Sequence, residues 1–162
     1  PRMTVAENMA LAFNRGEKRT LKFSRNKENL ILFENLLKKL NLGLEQKINT
    51  EMGVLSGGQR QAIALLMATM KAPQLILLDE HTAALDPKTQ KKIMALSEEK
   101  IKEKNLTALM ITHNLQDALT YGNRMLLLHQ GEIIRDFSEE EKKRLTVTDL
   151  YKIMVDLDEK DN

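Results

Sequence analysis

Leu30, Phe33, Leu37 and Leu40 recur at the three-and-four spacing of a helix face, and Gly43 suits the stop of that helix. From Gln61 to Met70 the chain is apolar on nearly every face, which predicts a buried helix ended by Pro73. The spacing then changes. Leu75-Ile76-Leu77-Leu78 is a continuous apolar run closing on Asp79-Glu80, the pattern of a buried parallel strand with acids at its carboxyl end. Ala108 to Thr112 reads as a second buried strand, and Arg124–His129 and Glu132–Phe137 as a hairpin turned by Gln130-Gly131.

Polar residues at the ends of these runs supply the starts of helices. Thr4-Val5-Ala6-Glu7 is a capping box for a short helix through about Phe13, and Ser56 and Gln59 stand in the same relation before the buried helix. Asp86-Pro87 gives a cap and a proline at the first helical position, predicting a helix to about Lys102. Asn114 can cap a helix from Leu115 to Tyr121, Ser138 opens a charged helix, and a last helix is expected from about Thr148 to Leu157. The order is that of an α/β fold, with no internal repeat or low-complexity tract. We divide it into a helical part at 1–72, an α/β core at 73–137 and C-terminal helices at 138–162.

Composition narrows the class. At 162 residues the chain can bury a core as one domain or two small lobes, and 42% apolar with 30% charged residues fits a soluble globular protein. A net charge of +2 is too near balance to imply nucleic acid. Between Arg15 and Lys27 six basic residues stand among few apolar ones, which reads as a solvated loop or as a docking patch for a membrane surface or partner. The absence of cysteine excludes disulfides and thiolate chemistry and is compatible with the cytosol. The longest apolar stretch, Ala62 to Met70, falls far short of the roughly 20 residues of a membrane helix. Pro1-Arg2-Met3-Thr4 lacks the plan of a signal peptide, and we expect a chain cut from something longer.

The candidate chemistry begins at Ser56-Gly57-Gly58-Gln59. Gly57 and Gly58 fall in the first turn of a helix, where backbone N–H groups lack intrahelical partners and can face a phosphate. Glycine there costs about 1 kcal/mol of helix propensity per position, so stability alone does not explain the choice. Asp79 and Glu80 can divide two tasks, one on a magnesium ion and one polarising a water, or can be a solvated strand end. His113 follows the second strand as Glu80 follows the first, so both could approach one crevice; a lone histidine is also an ordinary structural residue. His81 and His129 have less support, the first expected beside the acids and the second at a hairpin edge. No cluster has zinc-ligand spacing. A Ser-His-Asp set can be assembled from Ser56, His113 and Asp79, but no G-x-S-x-G elbow accompanies it.

The ordered set resembles the ATP-binding-cassette (ABC) ATPases. Leu55-Ser56-Gly57-Gly58-Gln59-Arg60 is similar to the family signature, Leu75 to Glu80 to its Walker B strand, Ala83-Ala84-Leu85-Asp86 to its D-loop, and Thr112-His113 to its switch histidine. Met3 to Asn8 resembles the segment after the family's Q-loop, so nearly the whole chain is covered. The resemblance implies a partial P-loop NTPase (RecA-like) core with an α-helical subdomain. It gives Glu80 the role of general base or water-orienting carboxylate, Asp79 that of acting on magnesium, and His113 that of contacting the γ-phosphate. Asp86 would communicate across a dimer, while Ser56, Gly57, Gly58 and Gln59 would contact ATP held by the opposite subunit. Implied partners are a second ATPase subunit, transmembrane permease subunits docking on the helical part, and an extracytoplasmic substrate-binding protein, with no nucleic acid. The implied location is peripheral, on the cytoplasmic face of the membrane.

Two departures qualify this. Glu80-His81-Thr82 stands where most members have Glu-Pro-Thr, and the stretch from Glu80 to Thr89 looks like a bacterial import branch associated with amino-acid uptake, tryptophan or tyrosine in particular. More seriously, the seven glycines at 16, 43, 53, 57, 58, 122 and 131 form no G-x-x-x-x-G-K-[ST] loop. These 162 residues alone are therefore expected not to hydrolyse ATP, and to self-associate or rearrange over an exposed sheet edge. The alternatives to an importer subunit are a non-catalytic interaction fragment and a soluble ABC ATPase of translation or DNA repair.

Overall fold

The computed structural model describes residues 2–16 and 27–160, with side chains to residue 157, and most of the basic stretch after Arg15 lies outside them. Two compact units divide at Met110, one of residues 1–110 and one of residues 111–162.

In the first unit, α1 (Val5–Phe13) starts at the expected box: Thr4 N donates to Glu7 Oε2 at 2.8 Å and Glu7 N to Thr4 Oγ1 at 3.2 Å. Its apolar face buries Val5, Met9 and Ala10 against Phe33 and Leu37 of α2 (Lys27–Lys38), and Phe13 meets Phe33 edge-on at 5.9 Å between ring centroids. α2 stops short of the predicted Gly43. Asn41 takes φ 52° and Gly43 φ 65°, so the chain leaves the helix early while Leu40 still reaches the core from the turn. Short 3₁₀ turns at Leu44–Lys47 and Met52–Val54 lead to α3 (Gly57–Thr69). α3 buries Gly58, Ala62, Ile63, Leu65, Leu66 and Thr69 but leaves Arg60 and Ala64 exposed, so its burial is less complete than the sequence predicts; it lies between the core of α1 and α2 and that of α4 (Pro87–Glu103). It ends at Thr69, before Pro73, and Ala72 turns the chain with φ 42°.

β1 (Leu75–Asp79) and β2 (Thr107–Ile111) pair in a two-stranded sheet. Burial of both strands was the expectation, and the structure corrects it. Ile76 and Leu78 pack against Leu65, Leu96 and Ile101, whereas Leu75 and Leu77 on the other face are 52% and 65% exposed. Alternate strand residues face opposite ways, and among the described residues helices cover one face only. β2 contributes Met110 to this small core and leaves Leu109 and Ile111 exposed.

The second unit holds α5 (Leu115–Thr120), the antiparallel hairpin of β3 (Met125–His129) and β4 (Glu132–Phe137), α6 (Glu139–Arg144) and α7 (Val147–Lys160). Gln130 and Gly131, at φ 48° and 83°, make the two-residue turn expected of them, and His129 sits beside it paired with Glu132. A bulge after Leu127 shifts the register, and Arg124 clamps Asp136 by donating from Nε to Oδ1 and from Nη2 to Oδ2. Buried Lys142 donates to Tyr121 O and, at 2.8 Å, to Gly122 O, tying α6 to the end of α5; burial pushes its ammonium pKa down. Among the described residues no helix is long and apolar enough to cross a membrane.

Candidate functional site

The start of α3 is built as its sequence requires. Ser56 has extended backbone, φ −63° and ψ 160°; its Oγ accepts from Gln59 N at 3.3 Å, and Gln59 Oε1 accepts in return from Ser56 N at 3.2 Å. The box serves the amides of Ser56 and Gln59 and leaves those of Gly57 and Gly58 as the pair in that turn that it does not serve. Lys47 Nζ donates to Gln59 Oε1 at 3.3 Å, placing a cation beside the positive end of the helix. Arg60 reaches back to Leu55 O.

Gly58 has a steric reason that the sequence does not reveal. A Cβ on Gly58 would overlap the γ-methyl of Thr89 and lie 3.6 Å from Thr89 Cβ, and a Cβ on Gly57 would lie 3.3 Å from Leu85 Cδ2. Gly58 is buried beneath Thr89. The missing side chain at 58 therefore lets α3 approach the start of α4.

β1 ends on exposed Asp79, and the next residue, exposed Glu80, takes φ 41°. Such left-handed backbone costs a non-glycine residue about 1–3 kcal/mol and persists where its surroundings over-determine it. Here a tight turn does so: Ala83 N donates to Glu80 O at 3.0 Å, Leu85 N to Thr82 O at 3.1 Å, and Thr82 is buried beneath. The turn delivers Asp86 to the N-cap of α4, where Oδ1 accepts from Thr89 N at 3.1 Å. Hydrogen bonds from the Thr89 hydroxyl and amide hold the Asp86 carboxyl below the ordinary aspartate range.

His81 follows Glu80 directly and also reaches across to α4. Its Nε2 lies 3.1 Å from Ser97 Oγ, and Ser97 donates its own hydroxyl hydrogen to Ile93 O at 2.8 Å, so His81 is the donor and its ring is held on α4. This gives the residue at the departure from Glu-Pro-Thr a packing function.

In the second unit His113 is exposed on the bend between β2 and α5. Asn114 N donates to Thr112 Oγ1 at 3.0 Å across that bend, and Asn114 Oδ1 caps α5 by accepting from Asp117 N at 3.1 Å. Of the residues singled out from sequence, Ser56, Gly57, Gly58, Gln59, Asp79, Glu80 and Asp86 belong to the first unit and His113 to the second. Lys47, Leu85 and Thr89 were not legible as neighbours of the α3 start, because those contacts are tertiary.

Comparison with known proteins follows this layout. The family model described as ABC transporter matches residues 1–83. A tyrosine transport ATP-binding protein of Clostridioides difficile is 46% identical over 151 residues, covering 93% of this chain and 59% of the relative. The ADP conformation of an ATP-binding cassette from an ABC transporter superposes with a TM-score of 0.72 at 27% identity, over 96% of this chain and 63% of that one. A dimeric post-hydrolysis cassette bound to ADP and Pi superposes with a TM-score of 0.69 at 32% identity, over 86% of this chain and 58% of that one. The chain thus spans about three-fifths of the length of these proteins.

Proposed function

This chain belongs to the ABC transporter family, and on that premise we propose that it supplies one side of a nucleotide site shared between two subunits of an importer. The observation that carries the reading is the boxed cap of α3, which occupies Ser56 and Gln59 with each other and leaves the amides of Gly57 and Gly58 outside the box. In this reading Ser56, Gly57, Gly58 and Gln59 contact ATP bound to the opposite subunit, with Lys47 adding positive charge. Glu80 orients or deprotonates the attacking water, and its left-handed backbone, unusual for glutamate, supports a functional constraint there. His113 contacts the γ-phosphate, and Asp86 communicates across the dimer.

Asp79 is the residue proposed to act on magnesium. That ion keeps several waters and takes one or two carboxylates together with phosphate oxygens, so an exposed strand-end carboxylate suits it, and no cage is needed. Among the described residues no group of three or more acids or histidines is placed as such a cage. When bound with nucleotide the ion neutralises charge on the phosphates.

The dimeric neighbour bound to ADP and Pi supports the second ATPase subunit and nucleotide binding, and the tyrosine transport relative supports amino-acid import. We further propose that permease subunits dock on residues 1–72, that an extracytoplasmic binding protein delivers the substrate, and that the protein sits peripherally on the cytoplasmic face of the membrane. Within these 162 residues there is no G-x-x-x-x-G-K-[ST] loop to cradle phosphates. A second reading, of this polypeptide alone, is a self-associating fragment, and the exposed Leu75, Leu77 and Leu109 favour it.

One experiment separates the two. Fusing this chain behind a segment that carries a G-x-x-x-x-G-K-[ST] loop from an ABC ATPase gives a completed cassette. The completed cassette should turn over magnesium-ATP; the 162-residue chain should not, and its light-scattering mass should exceed 18.6 kDa and rise with concentration. Turnover by the chain alone would refute the requirement for a P-loop. A clean monomer at all concentrations would remove the self-association.

A further inference from the structure

We propose that Thr89 is a positioning residue, whose γ-methyl seats in the space left by Gly58 and sets the start of α3 against the start of α4. The two pairs of close approach, Gly57 with Leu85 and Gly58 with Thr89, bracket Asp86 on both sides in sequence. Asp86 is itself tied to Thr89 through the 3.1 Å bond from Thr89 N to Oδ1. One residue thus touches both the glycine of the α3 cap and the acid of the α4 cap. Packed interiors transmit displacement, because there is no free volume to absorb it. A change in the Gly58–Thr89 contact therefore moves the Gly57 and Gly58 amides relative to Asp86. The inference rests on the reading above, in which those groups meet nucleotide and the facing subunit.

The contact also yields a different account of glycine at 58. If glycine were needed only to admit a phosphate, the identity of residue 89 would not matter to an alanine placed at 58. If it is needed to admit the Thr89 methyl, shortening residue 89 should relieve that alanine. Serine lacks the γ-methyl, whereas valine keeps it, so the two replacements give opposite expectations.

The test compares Gly58→Ala alone, with Thr89→Ser, and with Thr89→Val. The chain has no native cysteine, so spin labels at Ala64→Cys on α3 and Lys91→Cys on α4, both exposed, report the helix separation in the 162-residue protein without nucleotide. Gly58→Ala should change that separation by on the order of 1 Å, Thr89→Ser should restore it, and Thr89→Val should not. In the completed cassette Gly58→Ala should lower kcat by about 100-fold, the scale expected for displacement of that size, and Thr89→Ser should recover at least about 5-fold of it with little change in KM.

Should Gly58→Ala fail to fold, Thr89→Ser and Thr89→Val with Gly58 intact give the same comparison. Serine should then shift the separation, while valine, which gives up the hydroxyl's bond to Asp86 but keeps the methyl, holds the separation near the native value. Equal effects of serine and valine on the separation, or a larger effect of valine, would overturn the proposal in favour of the Thr89 hydroxyl. Restored separation without recovered kcat would reduce Thr89 to a packing residue and equally overturn it. A completed cassette with native Gly58 and Thr89 that turned over no ATP would defeat the functional reading, and the separation measurement would still decide whether the contact sets the helix spacing.

Discussion

In the completed cassette, Glu80→Gln should slow ATP turnover by at least about 100-fold and leave nucleotide bound, as removal of a general base does. The substitution suits the site because it changes charge with little change in size. Glu80 lies at the exposed end of β1 with φ 41°, and the bond from Ala83 N to its carbonyl belongs to the backbone, so the turn that carries Asp86 should survive. A neutral amide at the same place can still hold a water but cannot take its proton. Rapid filtration with labelled ATP would show nucleotide retained, and a steady-state assay the lost rate. Turnover within a few-fold of the unsubstituted cassette would remove Glu80 from this role and shift attention to His113.

The largest structural effect should come from Phe33→Ala, with a loss of about 3–5 kcal/mol. Phe33 is 1% exposed, stands edge-on to Phe13, and joins α2 to the core that also holds Met9, Leu37, Leu44, Ile63 and Ile93. Truncating it leaves a cavity bounded by rigid helices. With a urea dependence of about 1–3 kcal/mol per molar, the midpoint of unfolding followed by far-ultraviolet circular dichroism should fall by about 1 M or more. Ile31→Ala serves as the control, since Ile31 lies on the same helix but is 52% exposed. If both substitutions moved the midpoint alike, the assignment of Phe33 to the core of this unit would be wrong.

What could be read from the sequence was what depends on near neighbours. The boxes at Thr4 and Ser56, the caps at Asp86 and Asn114 and the helix start at Ser138 need only a side chain and an amide three residues on, and all five stand as expected, with Ser138 forming a box as well. The Gln130-Gly131 turn is equally local. Strand burial is not. The run Leu75 to Leu78 is apolar throughout, yet only Ile76 and Leu78 are covered, because burial depends on what packs against each face. The early end of α2 at Lys38 arises from left-handed backbone at Asn41, a position with no glycine to announce it.

The same distinction holds at the site. Ser56 to Gln59, Asp79-Glu80, Asp86 and His113 were legible as motifs in order, since each is a short word placed at the end of an element. The contacts that set their geometry were not. Lys47 on Gln59, His81 on Ser97 and Thr89 over Gly58 join residues from separate elements, and no local pattern pairs them. The glycines show how this alters an argument. Read alone they open a helix end to phosphate, and read with Thr89 they also bring two helices together.

If the α3 cap acts on nucleotide held by a second subunit, two cassettes disabled at different residues should complement each other. One completed cassette carries Ser56→Arg, which spoils the cap, and the other carries Glu80→Gln, which spoils the base; each alone should be nearly inactive. Mixed in equal amounts they should form heterodimers in which one of the two sites combines an intact Glu80 with the partner's intact cap. With random pairing and independent sites, turnover should return to about one quarter of the unsubstituted level. No recovery on mixing, with heterodimers demonstrated by native mass measurement, would mean that cap and base must lie in the same chain and would contradict the account.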